Sequence, residues 1–273
     1  MPRFTAPDGL SLHYEDEGTG LPLLCLSGLT RNARDFDYVA PHLEGVRMIR
    51  LDYRGRGQSD WGDYKTYTVP VEAKDALALL DHLGLEKVAI LGTSRGGIIA
   101  MLLGLLAKDR LLGVAMNDIG PELNPAGLEA IMGYLGKNPP FKTFEEAARF
   151  RSTHMPAFPN VPLERWRKEV THTNVETPEG LKINYDPRLR DAVIEAGAEP
   201  KADMWPLFDS LTDLPLAVIH GANSDLLTHA AVEKMQARDP DLIVAHVPDR
   251  GHIPYLDEAE ALAALSLWLE RLK

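Results

Sequence analysis

Short apolar runs, each bounded by glycine, proline or aspartate, alternate along this chain with longer segments whose apolar positions recur at helical spacing. Residues 10–14, 21–26, 46–51, 88–91 and 112–116 have the length and make-up of strands, and 216–219 and 242–247 resume the series after a long interval. These runs are apolar throughout rather than alternating, which places both faces of each strand under cover. Helices are expected over 34–42, 70–83 and 95–108, and again over 228–237 and 256–272. Pro70 heads the second of them, a position where a missing N–H does no harm. Strand and helix in regular alternation describe an α/β fold, with a mostly parallel central sheet flanked by helices.

Residues 121–205 break that rhythm. They are rich in proline and hold helical fragments near 144–151 and 163–170 but no convincing strand. A loop of that length without structure of its own is uncommon in a compact domain, and such excursions often cover sites. The expected organisation is therefore a core of residues 1–120 and 206–273 carrying an inserted helical cap or lid over 121–205. A chain of 273 residues suits one domain so elaborated.

Charge and composition narrow the classes of function. Lys and Arg total 29 against 40 Asp and Glu, a formal charge of -11, and no run of five or six basic residues occurs. Nucleic acid and anionic membrane surfaces are thus poor partners, and a small molecule is the expected one; monomer and homodimer both remain open. Cys25 is the only cysteine and stands in an apolar run, where an inert buried thiol is expected. No two histidines stand at ligand spacing on a helix with a carboxylate partner, so neither metal nor cofactor is expected. The first residues form no apolar leader, and no stretch approaches the roughly 18 apolar residues of a membrane span. A cytoplasmic location is the expectation.

The most informative stretch runs from Val88 to Ala100, in which a buried strand passes into Gly92-Thr93-Ser94-Arg95-Gly96 and at once into an apolar helix. A serine between strand and helix, with glycine two residues to either side, has the context of a nucleophile elbow. The turn lifts the hydroxyl above the sheet, and the helix behind it directs backbone N–H groups and a positive dipole end at developing negative charge. The Arg95 N–H is the natural first oxyanion donor. On this motif the chain resembles the α/β-hydrolase superfamily, its serine-nucleophile, capped, esterase-like branch. That resemblance implies an acid and a histidine after later strands, in the order Ser, Asp, His.

Following the resemblance, the stretch 216–225 supplies a strand, a glycine turn and Asp225, the favoured acid, while 242–252 supplies a strand, a loop and His252, the base. Asp118, at the end of the 112–116 strand, is the alternative acid, since some members place theirs there. The Leu29 backbone N–H is implied as the second oxyanion donor, although Ser27-Gly28 stands here where many relatives carry His-Gly. The segment Asp52-Tyr53-Arg54-Gly55-Arg56-Gly57-Gln58-Ser59 also resembles the family's, and Asp52 and Arg54 are expected to brace loops near the elbow. Histidines elsewhere, among them His82, His154, His172 and His246, are expected to be solvated or structural.

A serine nucleophile argues against dehalogenation and epoxide opening, for which relatives use aspartate. An alcohol needs a base to attack a carbonyl at neutral pH, and a histidine oriented by an aspartate provides one. Hydrolysis of a carboxylic ester or a related acyl bond such as a lactone or thioester is the leading expectation. Cleavage of a carbon–carbon bond in a diketone-type acid is the alternative, with Arg31, Arg34 or Arg95 able to hold a substrate carboxylate. A receptor that keeps the three residues without using them is a further class.

Overall fold

The structure is a computed structural model that describes residues 2–198 and 202–273. Its strands are β1 (Arg3–Thr5), β2 (Ser11–Gly18), β3 (Leu21–Leu26), β4 (Val46–Leu51), β5 (Val88–Thr93), β6 (Leu111–Asn117), β7 (Asn174–Thr177), β8 (Gly180–Ile183), β9 (Leu216–Gly221) and β10 (Ile243–Val247). Eight of them form one sheet in the order β1-β2-β4-β3-β5-β6-β9-β10. The β1–β2 and β2–β4 pairs are antiparallel and every other pair in this sheet is parallel. The central strands are buried along nearly their whole length, as their uninterrupted apolar sequence requires.

The α-helices are α1 (Val69–His82), α2 (Arg95–Leu106), α3 (Pro125–Tyr134), α4 (Phe144–His154), α5 (Leu163–Thr173), α6 (Leu189–Ala198), α7 (Trp205–Asp209), α8 (His229–Arg238) and α9 (Ala259–Glu270). Thr68 caps α1 by accepting from the Val71 N–H, and Thr228 caps α8 by accepting from Ala231. One apolar cluster on the sheet takes side chains from α1, α2 and α8, and a second takes Phe36, Val39 and the inner side of α9. The helix expected over 34–42 is instead two short 3-10 turns, Ala33–Phe36 and Ala40–His42. Pro41 is the reason: it has no N–H to donate and disfavours helical backbone at the residue before it.

Between β6 and β9 the chain leaves the sheet and builds α3 to α7 together with the antiparallel hairpin β7–β8. That hairpin corrects the expectation of no strand between 121 and 205. Its Val175 is 46% exposed, so the segment lacks the apolar run by which the buried strands are recognised. These elements are tied to the sheet layer at several points. Asn32 Nδ2 donates to the His172 carbonyl at 2.7 Å, Tyr67 OH donates to Asp186 at 2.8 Å, and the Asp186 N–H donates to Gly55 O at 2.8 Å. No helix of the described residues is long and apolar enough to cross a membrane.

Candidate active site

Ser94 lies at the turn from β5 into α2 with φ 50 and ψ -113, a left-handed conformation rare for a residue with a side chain. The flanking glycines explain how the turn closes. A Cβ on Gly96 would lie 2.0 Å from the Leu26 carbonyl oxygen, and one on Gly92 would lie 2.6 Å from the Gly96 backbone. Both obstacles are main chain, so nothing larger than glycine lets α2 come this close to β3 and β5. The resulting geometry leaves Ser94 almost buried, with its hydroxyl directed at the loop after β10.

That loop brings His252 to the serine. His252 Nε2 is 3.0 Å from Ser94 Oγ, and His252 Nδ1 is 2.7 Å from Asp118 Oδ2. A carboxylate only accepts, so the ring proton sits on Nδ1 and leaves Nε2 bare to accept from the serine hydroxyl. Asn117 helps to fix the loop, since its Nδ2 donates to the Pro254 carbonyl at 3.1 Å and to Thr93 Oγ1 at 3.2 Å.

The acid beside His252 is Asp118, which corrects the expectation that Asp225 fills this place. Asp118 is fully buried, with φ 51, just beyond β6. It accepts the Gly221 N–H at 2.8 Å and the Ser224 hydroxyl at 2.5 Å as well as the His252 ring. Strand order gives the reason. β6 is the immediate neighbour of β5, so its end lies next to Ser94, whereas β9 is one strand further out. The β9 turn contributes donors that hold Asp118, and Asp225 itself is exposed.

The loop after β3 lies against the serine. A Cβ on Gly28 would sit 3.9 Å from Ser94 Cβ and 3.4 Å from Arg31 Cδ, ordinary contact distances that place this loop directly against the serine. Neither the Leu29 N–H nor the Arg95 N–H donates to another backbone carbonyl of the described residues. Asp52 supports this loop through the Ala33 N–H at 2.7 Å. Arg54 does not; it pairs with Asp75 and Asp8. Two supports were hidden in the same segment: Tyr53 OH donates to Ser27 O at 3.1 Å, and Arg56 Nε donates to Leu29 O at 3.0 Å. Both residues were legible only as parts of a glycine-rich turn.

The three arginines considered for a substrate carboxylate are all engaged. Arg31 donates to Asp35 at 2.5 Å and to Glu169 at 2.8 Å. Arg95 donates to Glu72 at 2.5 Å and to Tyr67 O at 3.0 Å, and Arg34 donates to Thr171 O at 3.1 Å with Asp37 at 3.7 Å. Burial raises the Asp35 carboxyl to about 6 against the pull of Arg31. Arg151 of α4 was not singled out from the sequence. It lies within electrostatic reach of Arg31, Glu169, Tyr255 and Tyr134, and no carboxylate among the described residues pairs with it. Burial away from water pushes its pKa down, with Glu169 opposing and Arg31 adding to the shift.

A sheet of this order, with a serine, a histidine and an aspartate bonded in series at the carboxyl ends of its strands, defines the α/β-hydrolase class. A family model described as the alpha/beta hydrolase family matches residues 23–265, and the chain belongs to that family. It is similar to a 3-hydroxybutyrate-oligomer hydrolase of Cupriavidus necator, 39% identical over 253 residues that cover 89% of this chain and 86% of that protein. It also resembles a 2-(acetamidomethylene)succinate hydrolase of Mesorhizobium japonicum, 24% identical over 251 residues, covering 91% and 87% respectively. Among solved structures, an alpha/beta hydrolase from Novosphingobium aromaticivorans superposes with a TM-score of 0.92 at 38% identity, covering 99% of this chain and 97% of that one. The chain is a hydrolase of this fold.

Proposed function

We propose that this hydrolase cleaves esters of small hydroxy acids that carry a free carboxylate, through an acyl-enzyme on Ser94. The observation that carries the proposal is the bonded series Ser94–His252–Asp118, at 3.0 and 2.7 Å. In the first half-reaction Ser94 Oγ attacks the ester carbonyl while His252 Nε2 takes its proton. Asp118 remains ionised and stabilises the imidazolium. The Leu29 and Arg95 N–H groups receive the oxyanion, each lowering the barrier by about 3 kcal/mol. His252 then returns the proton to the departing alcohol. In the second half-reaction it deprotonates a water that attacks the acyl carbon and frees both the acid and Ser94.

The substrate class rests on two supports. Oligomers of 3-hydroxybutyrate, the substrates in the name of the Cupriavidus relative, are chains of esters that end in a carboxylate. Arg151 is a cation near Arg31 that feels Glu169 at a distance but makes no direct ion pair among the described residues, and a bidentate guanidinium is well suited to a carboxylate end. Turnover should be compared between a 3-hydroxybutyrate dimer and its methyl ester. The dimer should be preferred by the parent, and Arg151→Gln should lose roughly tenfold or more of kcat/KM on the dimer while the methyl ester is little changed. Turnover of a vinylogous diketone acid with no turnover of either ester would contradict the ester reading. Equal effects of Arg151→Gln on both esters would contradict the carboxylate role.

A further inference from the structure

The β10 edge of the sheet carries a second group of ionisable side chains, which the proposed ester chemistry does not use. β9 and β10 pair in parallel with His220 opposite His246, and His229 opens α8 beside them. One ring nitrogen from each of the three histidines lies within 4.8 Å of the others. The His220 and His246 Nδ1 atoms are 2.9 Å apart, and the His229 and His246 ring centroids are 4.5 Å apart. His220 is buried, while His229 and His246 are exposed.

The hydrogen bonding of His220 fixes the direction of its lone pair. Its Nε2 is 3.0 Å from the Leu227 carbonyl, which can only accept, so Nε2 carries the proton and Nδ1 is left bare toward the cluster. An imidazole held in this way, with its outer N–H on a backbone carbonyl, is the usual arrangement of a metal-ligating histidine. Glu233, one turn along α8, is 3.7 Å from His229 Nε2 and supplies nearby negative charge.

We infer that His220, His229 and His246 form a binding site for a zinc-class divalent cation, with three imidazole nitrogens as ligands and water completing the shell. Zinc–nitrogen bonds of about 2.0–2.1 Å set tetrahedral ligands roughly 3.3 Å apart. The 2.9 Å pair must open slightly and any separation near the 4.8 Å bound must close, a small adjustment for the two exposed side chains. The ligands come from β9, the edge strand β10 and α8, so a bound ion fastens the open edge of the sheet to the helix beside it. Three separate elements also explain why spacing along the sequence gave no sign of the site.

The test uses the untagged full chain, stripped with chelator and titrated with Zn²⁺. One equivalent should bind, and a hundredfold excess over Kd should raise the thermal midpoint by roughly 5 °C or more. Co²⁺ should give the visible absorption of a low-coordinate nitrogen site. His229→Ala and His246→Ala remove exposed side chains, and each should weaken Zn²⁺ binding at least about tenfold, while His42→Ala, remote in sequence and outside the cluster, should not. Absence of a bound equivalent, or unchanged affinity in both cluster variants, would overturn the site.

Discussion

At the scale of single residues, the arrangement turns on which carboxylate stands behind His252. Asp118 is buried and receives three hydrogen bonds, from Gly221, Ser224 and His252, whereas Asp225 is exposed. Asp118→Asn should preserve the fold yet lower kcat by about 10⁴, because an amide facing Nδ1 favours the wrong tautomer. Asp225→Asn should stay within about twofold in the same ester assay. The reverse order would return the acid to the β9 turn. Ser94 and His252 could be read from the sequence because each stands in a local pattern, the glycine-flanked turn and the loop after the last strand. The acid could not be read in that way, since both aspartates follow a strand and only the order of strands in the sheet decides between them. Arg151 was out of reach for a different reason: an arginine in α4 looks like any solvated helix residue until its neighbours are known.

Among the elements, the tightest constraint is where α2 crosses close to β3 and β5. Gly96→Ala would bring a methyl to 2.0 Å from the Leu26 carbonyl oxygen, which cannot rotate away. The variant should be destabilised by about 1–3 kcal/mol or more, seen as a lower midpoint in urea, and should lose activity as Ser94 is displaced. A variant of parental stability would mean that the turn is looser than described. The parallel strands were legible to within a few residues because a buried parallel strand advertises itself as a short apolar run, whereas the three-residue antiparallel edge strand β1 gave no such signal. The hairpin β7–β8 and helices α3, α6 and α7 were not foreseen. They lie outside the sheet, where partly exposed positions blur the contrast between apolar and polar faces.

Across the whole molecule, the segment between β6 and β9 meets the sheet layer through a polar seam in which His172 is buried beside Asn32 and Tyr38. Burial, with Arg34 adding to it, lowers the His172 pKa to about 4 from an ordinary 6.5. The folded chain then binds fewer protons than the unfolded chain between these values. This contribution to stability is present above about pH 6.5 and is lost as pH falls toward 4, up to about 3 kcal/mol in all. Asp35, raised to about 6 by burial, acts in the opposite sense over much of the same range, so the parent's own curve mixes the two. The informative quantity is the difference between the parent and His172→Gln in unfolding free energy, which should shrink by kilocalories as pH falls from 7 to 4. A difference independent of pH would mean that His172 ionises as freely in the folded chain as in the unfolded one.

The most direct measurement of the central claim is covalent labelling of the intact chain by a fluorophosphonate, followed by mass spectrometry of its peptides. A single adduct on Ser94, formed rapidly by the parent, slowly by Asp118→Asn, at the parental rate by Asp225→Asn and scarcely at all by His252→Ala, is the predicted result. No adduct on Ser94, or one that forms equally fast without His252, would contradict the account.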